Sequence, residues 1–87
     1  MIKLHIANLS DRVSETQLNE HFGRYGEVLK IEVVWARSLG RIVGSAVIEM
    51  PFGEGIAAAR ELNGKPFRGR SLYITIMSNG IAASGKL

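Results

Sequence analysis

The chain has 87 residues, enough for one domain near the lower end of what folds without disulfides or a metal ion. A hydrophobic content of 46% supports a core, and 22% charged residues is ordinary for a globular protein. The absence of cysteine excludes disulfides, thiolate metal sites and thiol chemistry, and it suits an intracellular location, nuclear or cytoplasmic. The net charge of +3 permits an anionic partner without requiring one.

No apolar run approaches the roughly 20 residues that a membrane span needs. A strand pattern begins so close to Met1 that no signal peptide is visible. No internal repeat, linker or second domain is visible either. We therefore expect a single domain without a membrane partner, and a monomer.

The first strand and the first helix have clear patterns. Apolar and polar residues alternate over residues 2–6, and the turn-rich residues 8–12 follow. Ser14 is predicted to be an N-cap, and Gln17 three residues later completes a capping box. Gly26 is expected to end the helix as its C′ residue. The apolar side of this helix is predicted to consist of Leu18, His21, Phe22 and Tyr25.

The second strand is predicted to contain Val28 and residues 30–35, with Ile31 and Val33 facing the core, and residues 36–42 are expected to form a loop. The third strand, residues 43–50, alternates over its whole length. The set expected to pack under helices is Gly44, Ala46, Ile48 and Met50. The set expected on an open face is Val43, Ser45, Val47 and Glu49.

The last part of the chain predicts a helix, a turn and a strand. The helix covers residues 56–62 and is weakened at its start by Gly55. A turn at residues 63–64 precedes a strand over 71–77. The residues expected to face the core are Ala58, Ala59, Leu62, Leu72, Ile74 and Ile76. We predict a domain over residues 1–78 and a flexible tail over residues 79–87.

The element order is therefore βαββαβ. Two right-handed strand–helix–strand crossovers interleave into one four-stranded antiparallel sheet with both helices on one face. The predicted fold class is α+β, a ferredoxin-like sandwich with strand order 4-1-3-2.

Four motifs in register resemble the RNA recognition motif (RRM) family. The first-strand hexapeptide is Leu4-His5-Ile6-Ala7-Asn8-Leu9, with histidine where the family has an aromatic residue. The first helix matches with Leu18…Phe22…Tyr25-Gly26. Two further motifs are Leu62-Asn63-Gly64 and Gly69-Arg70-Ser71-Leu72. The resemblance implies this fold and single-stranded RNA as the partner, with no cofactor or metal.

The third strand departs from the family pattern at its ligand positions. Ser45 and Val47 replace two base-stacking aromatic residues, and Val43 replaces a basic one. The Gly-Ser-Ala core of this strand is similar to the mRNA-export adaptor (Aly/REF-like) branch of the family. Since each stacked base is worth about 1–3 kcal/mol, the loss of two rings predicts an affinity lower by roughly 30-fold to 10⁴-fold.

Strand parity predicts what the open face carries. His5 and Tyr73 either form a residual stacking platform or are plain surface residues. The apolar members of the face are a protein contact, a seat for Ile81 of the tail, or ordinary surface. The predicted face consists of Lys3, His5, Lys30, Glu32, Val34, Val43, Ser45, Val47, Glu49, Tyr73, Thr75 and Met77.

Three loops share one end of the sheet in this topology, and together they hold six of the eleven basic residues and one acid, Asp11. Such a rim suits phosphate contacts, which give affinity and salt dependence without base specificity. Ordinary solubilising charge is the plainer explanation. Trp35, beside one of these loops, is either half-buried or a stacking surface. The six basic residues are Arg12, Arg37, Arg41, Lys65, Arg68 and Arg70.

These observations predict an RNA-binding module with degenerate stacking motifs and weak, largely electrostatic binding of single-stranded RNA. The alternative is a protein-interaction module on the same fold, with a partner held on the sheet face or the helices. The predicted RNA-binding residues are Lys3, His5, Arg12, Trp35, Arg37, Arg41, Ser45, Val47, Lys65, Arg68, Arg70, Tyr73 and Thr75.

An enzyme is the third class considered, because some small hydrolases share this fold. They need a glycine-containing phosphate loop with an arginine after the first strand, and residues 8–12 contain no glycine. No carboxylate pair or nucleophile–base pair converges on that loop. His5 and His21 are expected on different faces of the sheet, which disfavours a metal site. We therefore predict that the protein is not an enzyme.

Overall fold

The computed structural model describes residues 1–77. The elements in chain order are β1 (Ile2–Leu9), α1 (Glu15–Gly23), β2 (Lys30–Ser38), β3 (Arg41–Met50), α2 (Phe52–Leu62), β4 (Pro66–Phe67), β5 (Arg70–Ser71) and β6 (Tyr73–Met77). Four strands form one antiparallel sheet in the order β2-β3-β1-β6, and β4 and β5 form a separate short hairpin. The predicted fold and strand order are confirmed, with β6 as the fourth strand. The predicted tail, residues 79–87, lies outside the described residues.

Strand parity decides which side chains enter the core. Leu4 pairs with Ile48, Ile6 pairs with Ala46, and all four are buried on the helix side of the sheet. Each large apolar side chain buried in this way contributes about 1.5–3 kcal/mol. The helices cover this side with Leu18, Phe22, Ala58, Ala59 and Leu62.

The start of α1 follows the sequence prediction. The Ser14 hydroxyl accepts a hydrogen bond from the Gln17 N–H at 3.1 Å, and the Gln17 side chain accepts one from the Ser14 N–H at 3.0 Å. The predicted capping box is therefore confirmed, and it satisfies two backbone donors that the first turn would otherwise leave free.

The end of α1 differs from the prediction. The helix ends at Gly23 with Arg24 as its cap, so Gly26 lies beyond the C′ position that was assigned to it. Gly26 instead makes room for α2, because a Cβ atom there would overlap the side chain of Glu54. The Glu54 carboxylate accepts a hydrogen bond from the Glu27 N–H at 2.8 Å.

The predicted loop over residues 36–42 is wrong, because β2 and β3 continue as a hairpin. Ala36 pairs with Val43 and Ser38 pairs with Arg41, beyond the last pair that β3 makes with β1. The turn residues Leu39 and Gly40 have φ values of 52° and 77°. Two positive φ values are what a two-residue type I′ turn requires. The hairpin of β2 and β3 therefore extends beyond the region where β3 pairs with β1.

Helix α2 begins at Phe52, four residues before the predicted start. The Gly55 N–H donates to the Pro51 carbonyl at 2.8 Å, so Gly55 lies inside the first turn. A Cβ atom on Gly55 would come within 2.5 Å of a methyl group of Ile2. Close packing on β1 therefore outweighs the low helix propensity of glycine.

The predicted final strand is interrupted after Ser71, where β5 ends and the buried Leu72 precedes β6. Ile74 is partly buried, as expected. Ile76 is 44% exposed although it lies on the helix side, because β6 is the outermost strand of the sheet among residues 1–77. The Asn63 side chain accepts a hydrogen bond from the Ile74 N–H at 2.8 Å, which holds the end of α2 against this edge.

Candidate nucleic-acid interface

The centre of the open face is a row of four residues, one from each strand of the sheet. His5 pairs with Val47 on one side and with Thr75 on the other, and Val47 also pairs with Glu32. His5 and Val47 are half-buried, while Thr75 is exposed. The row therefore offers one flat ring, the imidazole of His5, flanked by side chains that cannot stack a base.

The next row contains the second ring of the open face. Tyr73 is 58% exposed and pairs with Ala7, so it lies diagonally from His5. Diagonal neighbours on antiparallel strands are about 7–8 Å apart. Among residues 1–77, no ring contact joins His5 and Tyr73. Each ring is therefore available to a separate base.

A β-bulge in β1 lies beside the row that contains Tyr73. The pairing of β1 with β3 shifts between Ile6 and Leu9, and Asn8 adopts a φ of 68°. Asparagine tolerates this left-handed conformation better than most residues. Its side-chain amide donates to the Ser71 carbonyl at 2.8 Å. Asn8 therefore fixes the β4–β5 hairpin to the end of β1.

The lysines of the open face have acidic neighbours. Lys3 Nζ lies 3.9 Å from a Glu49 carboxylate oxygen, and Lys30 Nζ lies 3.7 Å from one of Glu32. Exposed pairs of this kind add little stability. They do cancel local charge, so the body of the sheet face is close to neutral and the excess positive charge lies at its end.

The two arginines of the β2–β3 hairpin point to opposite sides. Arg41 has the parity of Val43 and Ser45 and lies on the open side. Arg37 pairs with Ile42 and has the parity of Trp35, which places it on the helix side. Both are exposed. The hairpin therefore brings one guanidinium, that of Arg41, to the border of the open face.

Arg12 and Lys65 are exposed at the same end of the sheet, as the topology predicts. Arg70 is only partly exposed, and its Nη1 atom is buried without a hydrogen-bond partner among residues 1–77. A buried guanidinium nitrogen is costly unless an acceptor reaches it. Arg70 is therefore less free to meet a phosphate than Arg12 or Lys65.

Arg68 lies elsewhere than the sequence suggested. The β4–β5 hairpin packs on α1, where the ring of Phe67 stacks on His21 with centroids 4.1 Å apart. Arg68 lines a cavity beside this stack together with Glu20 and Arg24 of α1. Burial, with a smaller effect from Arg24, lowers the pKa of His21 below its usual 6.5. His21 and Arg68 thus belong to the helix side of the molecule.

Trp35 also lies on the helix side. It pairs with Gly44, and a Cβ atom on Gly44 would overlap the indole ring. The side chain is 43% exposed, so part of the ring remains accessible. Trp35 therefore lies on the opposite side of the sheet from His5 and Tyr73, and its role as a stacking surface stays a prediction.

Comparison with known proteins identifies the family. The profile of the RNA recognition motif family matches residues 4–73, which is most of the chain. The chain belongs to the RRM family. It is 34% identical over 74 residues to RbpB of Nostoc sp. (strain PCC 7120), a provisionally named RNA-binding protein, covering 84% of this chain and 72% of RbpB. It is 35% identical over 74 residues to the chloroplastic 29 kDa ribonucleoprotein of Arabidopsis thaliana, covering 84% of this chain and 22% of that protein.

Solved RRM structures share the fold. The crystal structure of RNA-binding protein PG1 superposes with a TM-score of 0.77 at 29% identity, covering 88% of this chain and 94% of that chain. The RRM of Rna15 with bound RNA (GU) gives a TM-score of 0.75 at 24% identity, covering 88% and 83%. The cyanobacterial and plant relatives give no support to the export-adaptor branch that the third strand had suggested.

Ser45 and Val47 of β3 both lie on the open face and are half-buried. The sequence reasoning missed the positions of Phe67 and Arg68. A signal existed, since Arg68-Gly69 and Leu39-Gly40 each place a glycine, which readily adopts the positive φ of a two-residue turn, between two strands. Within residues 1–77, no cluster of metal-binding side chains occurs, and no helix there is long and apolar enough to cross a membrane.

Proposed function

We propose that this RRM binds single-stranded RNA on the open face of its sheet, weakly and mainly through charge at the end of that face. The observation that carries the proposal is the contrast between a nearly neutral face with two separated rings and the exposed Arg41 at its border. The family and the names of the cyanobacterial relatives support RNA as the partner. They support a binding role rather than catalysis.

In this proposal, different groups have different roles. His5 and Tyr73 each present a ring on which a base can stack, worth about 1–3 kcal/mol per base. Ser45 is a diagonal neighbour of His5 on the open face, and its hydroxyl can donate or accept one hydrogen bond. Arg41, with Arg12 and Lys65 farther along the end, contacts phosphates, which position the strand without reading its sequence.

The weakness of binding follows from what β3 lacks. Ser45 and Val47 provide no flat surface, so the two bases that would lie over β3 gain no stacking energy there. Phosphate contacts then make up a larger share of the affinity than in an RRM with a full set of rings. Such binding falls steeply as the salt concentration rises.

The proposal is tested by titrating ¹⁵N-labelled protein with a short single-stranded RNA at low and at raised salt. We expect chemical-shift changes at His5, Tyr73 and Arg41, with those at Arg41 lost first as salt increases. Arg37 and Trp35, on the other side of the same hairpin, serve as internal controls and are expected to change little.

Two results would contradict the proposal. Changes confined to α1 and the β4–β5 hairpin would move the binding surface to the helix side. No change at any residue at millimolar RNA, in protein shown to be folded, would leave the protein-interaction module as the better account.

A further inference from the structure

We propose that the cavity between α1 and the β4–β5 hairpin binds an acidic side chain of a partner peptide. In this inference, Arg24 and Arg68 hold the carboxylate of that side chain, and Glu20 accepts a hydrogen bond from a neighbouring N–H of the peptide backbone. The cavity lies on the helix side of the molecule, so the sheet separates it from the face on which we propose that RNA binds. The inference therefore stands independently of RNA binding.

One wall of the cavity is a single side of α1. Its residues recur at spacings of three and four, which places their side chains next to one another along the helix. Glu20 and Arg24 are exposed, so a carboxylate and a guanidinium face the same space one helical turn apart. The residues of this wall are Gln17, Glu20, His21 and Arg24.

The β4–β5 hairpin forms the opposite wall with Phe67 and Arg68. The Phe67 ring stacks on His21 with the centroids 4.1 Å apart and 13° between the ring planes, which fixes the hairpin on α1. Arg68 follows in the turn with a φ of 54°, a conformation that residues other than glycine seldom adopt. The hairpin thus brings a second guanidinium to the cavity from a distant part of the chain.

The charges that line the cavity do not neutralise one another through ion pairs. Within residues 1–77, the ion pairs lie on the open face, and none involves Glu20, Arg24 or Arg68. Burial, followed by Arg24, lowers the pKa of His21, so its imidazole is neutral at pH 7 and adds no charge. Two cations therefore face one anion, and an oxyanion between the guanidiniums would relieve their mutual repulsion.

The size and the mixed lining of the cavity favour a peptide as the ligand. Its volume of about 220 Å³ is below the roughly 300–1,000 Å³ of sites that enclose small molecules, so it suits a single side chain. A guanidinium binds a carboxylate through two parallel N–H···O hydrogen bonds. The Glu20 carboxylate needs a donor, which a peptide backbone supplies beside its own acidic side chain. A nucleic-acid backbone would instead bring repeated negative charge next to Glu20.

Titration of the full chain with two matched peptides tests the proposal. The probe is a hexapeptide with blocked termini and one central glutamate among neutral residues, and its control has glutamine at that position. NMR follows the side-chain Nε–H signals of Arg24 and Arg68. We expect both signals to shift and saturate with the glutamate peptide at millimolar concentration, and to stay in place with the glutamine peptide.

Matched variants identify the groups that bind the carboxylate. Arg24→Gln and Arg68→Gln should each weaken binding of the glutamate peptide by about 3-fold to 10-fold, because each removes one charged donor. Arg60→Gln removes the same charge from an exposed position on α2 and should bind like the wild type. Glu20→Gln should bind free acetate about 2-fold more tightly, since a like charge is removed. It should also narrow the preference for the peptide over acetate. Unchanged amide spectra away from the cavity verify that each variant is folded.

Four outcomes would overturn the proposal. Equal shifts with the two peptides would mean that the carboxylate is not recognised. Equal weakening by Arg60→Gln would indicate general attraction to a basic protein. Acetate that binds the wild type as tightly as the peptide does would reduce the cavity to a site for free anions. A short single-stranded RNA that displaces the peptide and shifts the Arg24 and Arg68 signals would assign the cavity to nucleic acid.

Discussion

The two faces of the sheet are made by alternate residues of the same strands, yet they differ in burial and in chemistry. On β3, Ile48 is fully buried under the helices, while its neighbour Val47 lies half-buried on the open face. The helix side has the small and apolar residues that the packing needs. The open side of β3 has Ser45 and Val47, which provide no flat ring and take no part in that packing. Strand parity therefore separates the residues that form the core from those that we propose face the RNA.

The β2–β3 hairpin carries this separation past the end of the sheet. Arg41 continues the open face, whereas Arg37 and Trp35 continue the helix side. Counting charges along the sequence does not show that Arg37 and Arg41 lie on different sides, because both arginines are within a few residues of the same turn. Which side each one serves follows only from the register of the two strands.

The largest expected effect is on the buried face. Ile48→Ala should lower the free energy of unfolding by about 2–5 kcal/mol, because it removes a fully buried side chain and leaves a cavity. Val47→Ala, one residue away on the open face, should lower it by about 1 kcal/mol or less. Urea denaturation measures both. If Ile48→Ala does not fold, Ile48→Val should lose about 0.5–1.5 kcal/mol. Equal losses at the two positions would remove the distinction between the faces.

The next effect concerns the open face. Val47→Phe or Ser45→Phe should strengthen the binding of a short single-stranded RNA by up to about 1–3 kcal/mol each, since each restores one stacking surface. Val47→Leu is the control, because it adds apolar volume without a flat ring. Fluorescence anisotropy gives the dissociation constants. A gain as large for leucine as for phenylalanine would argue against base stacking at this site.

Substitutions at two glycines of α2 test how closely this helix packs on the sheet. Gly55→Ala should lower the free energy of unfolding by about 1–3 kcal/mol, because the new methyl group would collide with Ile2. Gly53→Ala, which meets no atom within 4 Å, should raise it by about 0.4–1 kcal/mol by restricting the unfolded chain. Thermal denaturation of the two variants measures the difference. If both alanine variants raised the free energy of unfolding, the close contact between α2 and β1 would be contradicted.

The smallest expected effect is the pH dependence contributed by His21. Its pKa is lowered in the folded protein, mainly by burial and also by Arg24, so below about pH 6.5 the unfolded chain binds a proton that the folded chain does not. The free energy of unfolding should therefore decrease as the pH falls from 6.5 toward the lowered pKa. His21→Gln should show a weaker decrease over that interval. An identical pH profile in the variant would exclude His21 as the cause.

Much of the fold could be predicted because its signals are local. Alternation gave the faces of β1 and β3, and the capping box gave the start of α1. The errors arose where tertiary packing outweighed local preference. Gly55 was expected to weaken the start of a helix that begins at residue 56, yet the close approach of α2 to Ile2 requires a glycine there.

The candidate site was less predictable. The side of the sheet on which a residue lies depends on the strand register and on contacts between residues that are far apart in sequence. Residues 36–38 lack a clear alternation, which concealed the hairpin and hence the opposite directions of Arg37 and Arg41. Arg68 follows Phe67, whose stacking on His21 of α1 joins residues far apart in sequence. No local pattern reports such a contact.

The salt dependence of RNA affinity tests the central claim most directly. The dissociation constant for one short single-stranded RNA is measured from low to high salt in the wild type, Arg41→Ala and Arg37→Ala. We predict a steep linear loss on logarithmic axes in the wild type, a slope shallower by about 0.7 in Arg41→Ala for its lost phosphate contact, and a smaller change in Arg37→Ala. Affinity that persists at molar salt, or identical slopes in all three proteins, would contradict an interface that depends on charge at the open side of the hairpin.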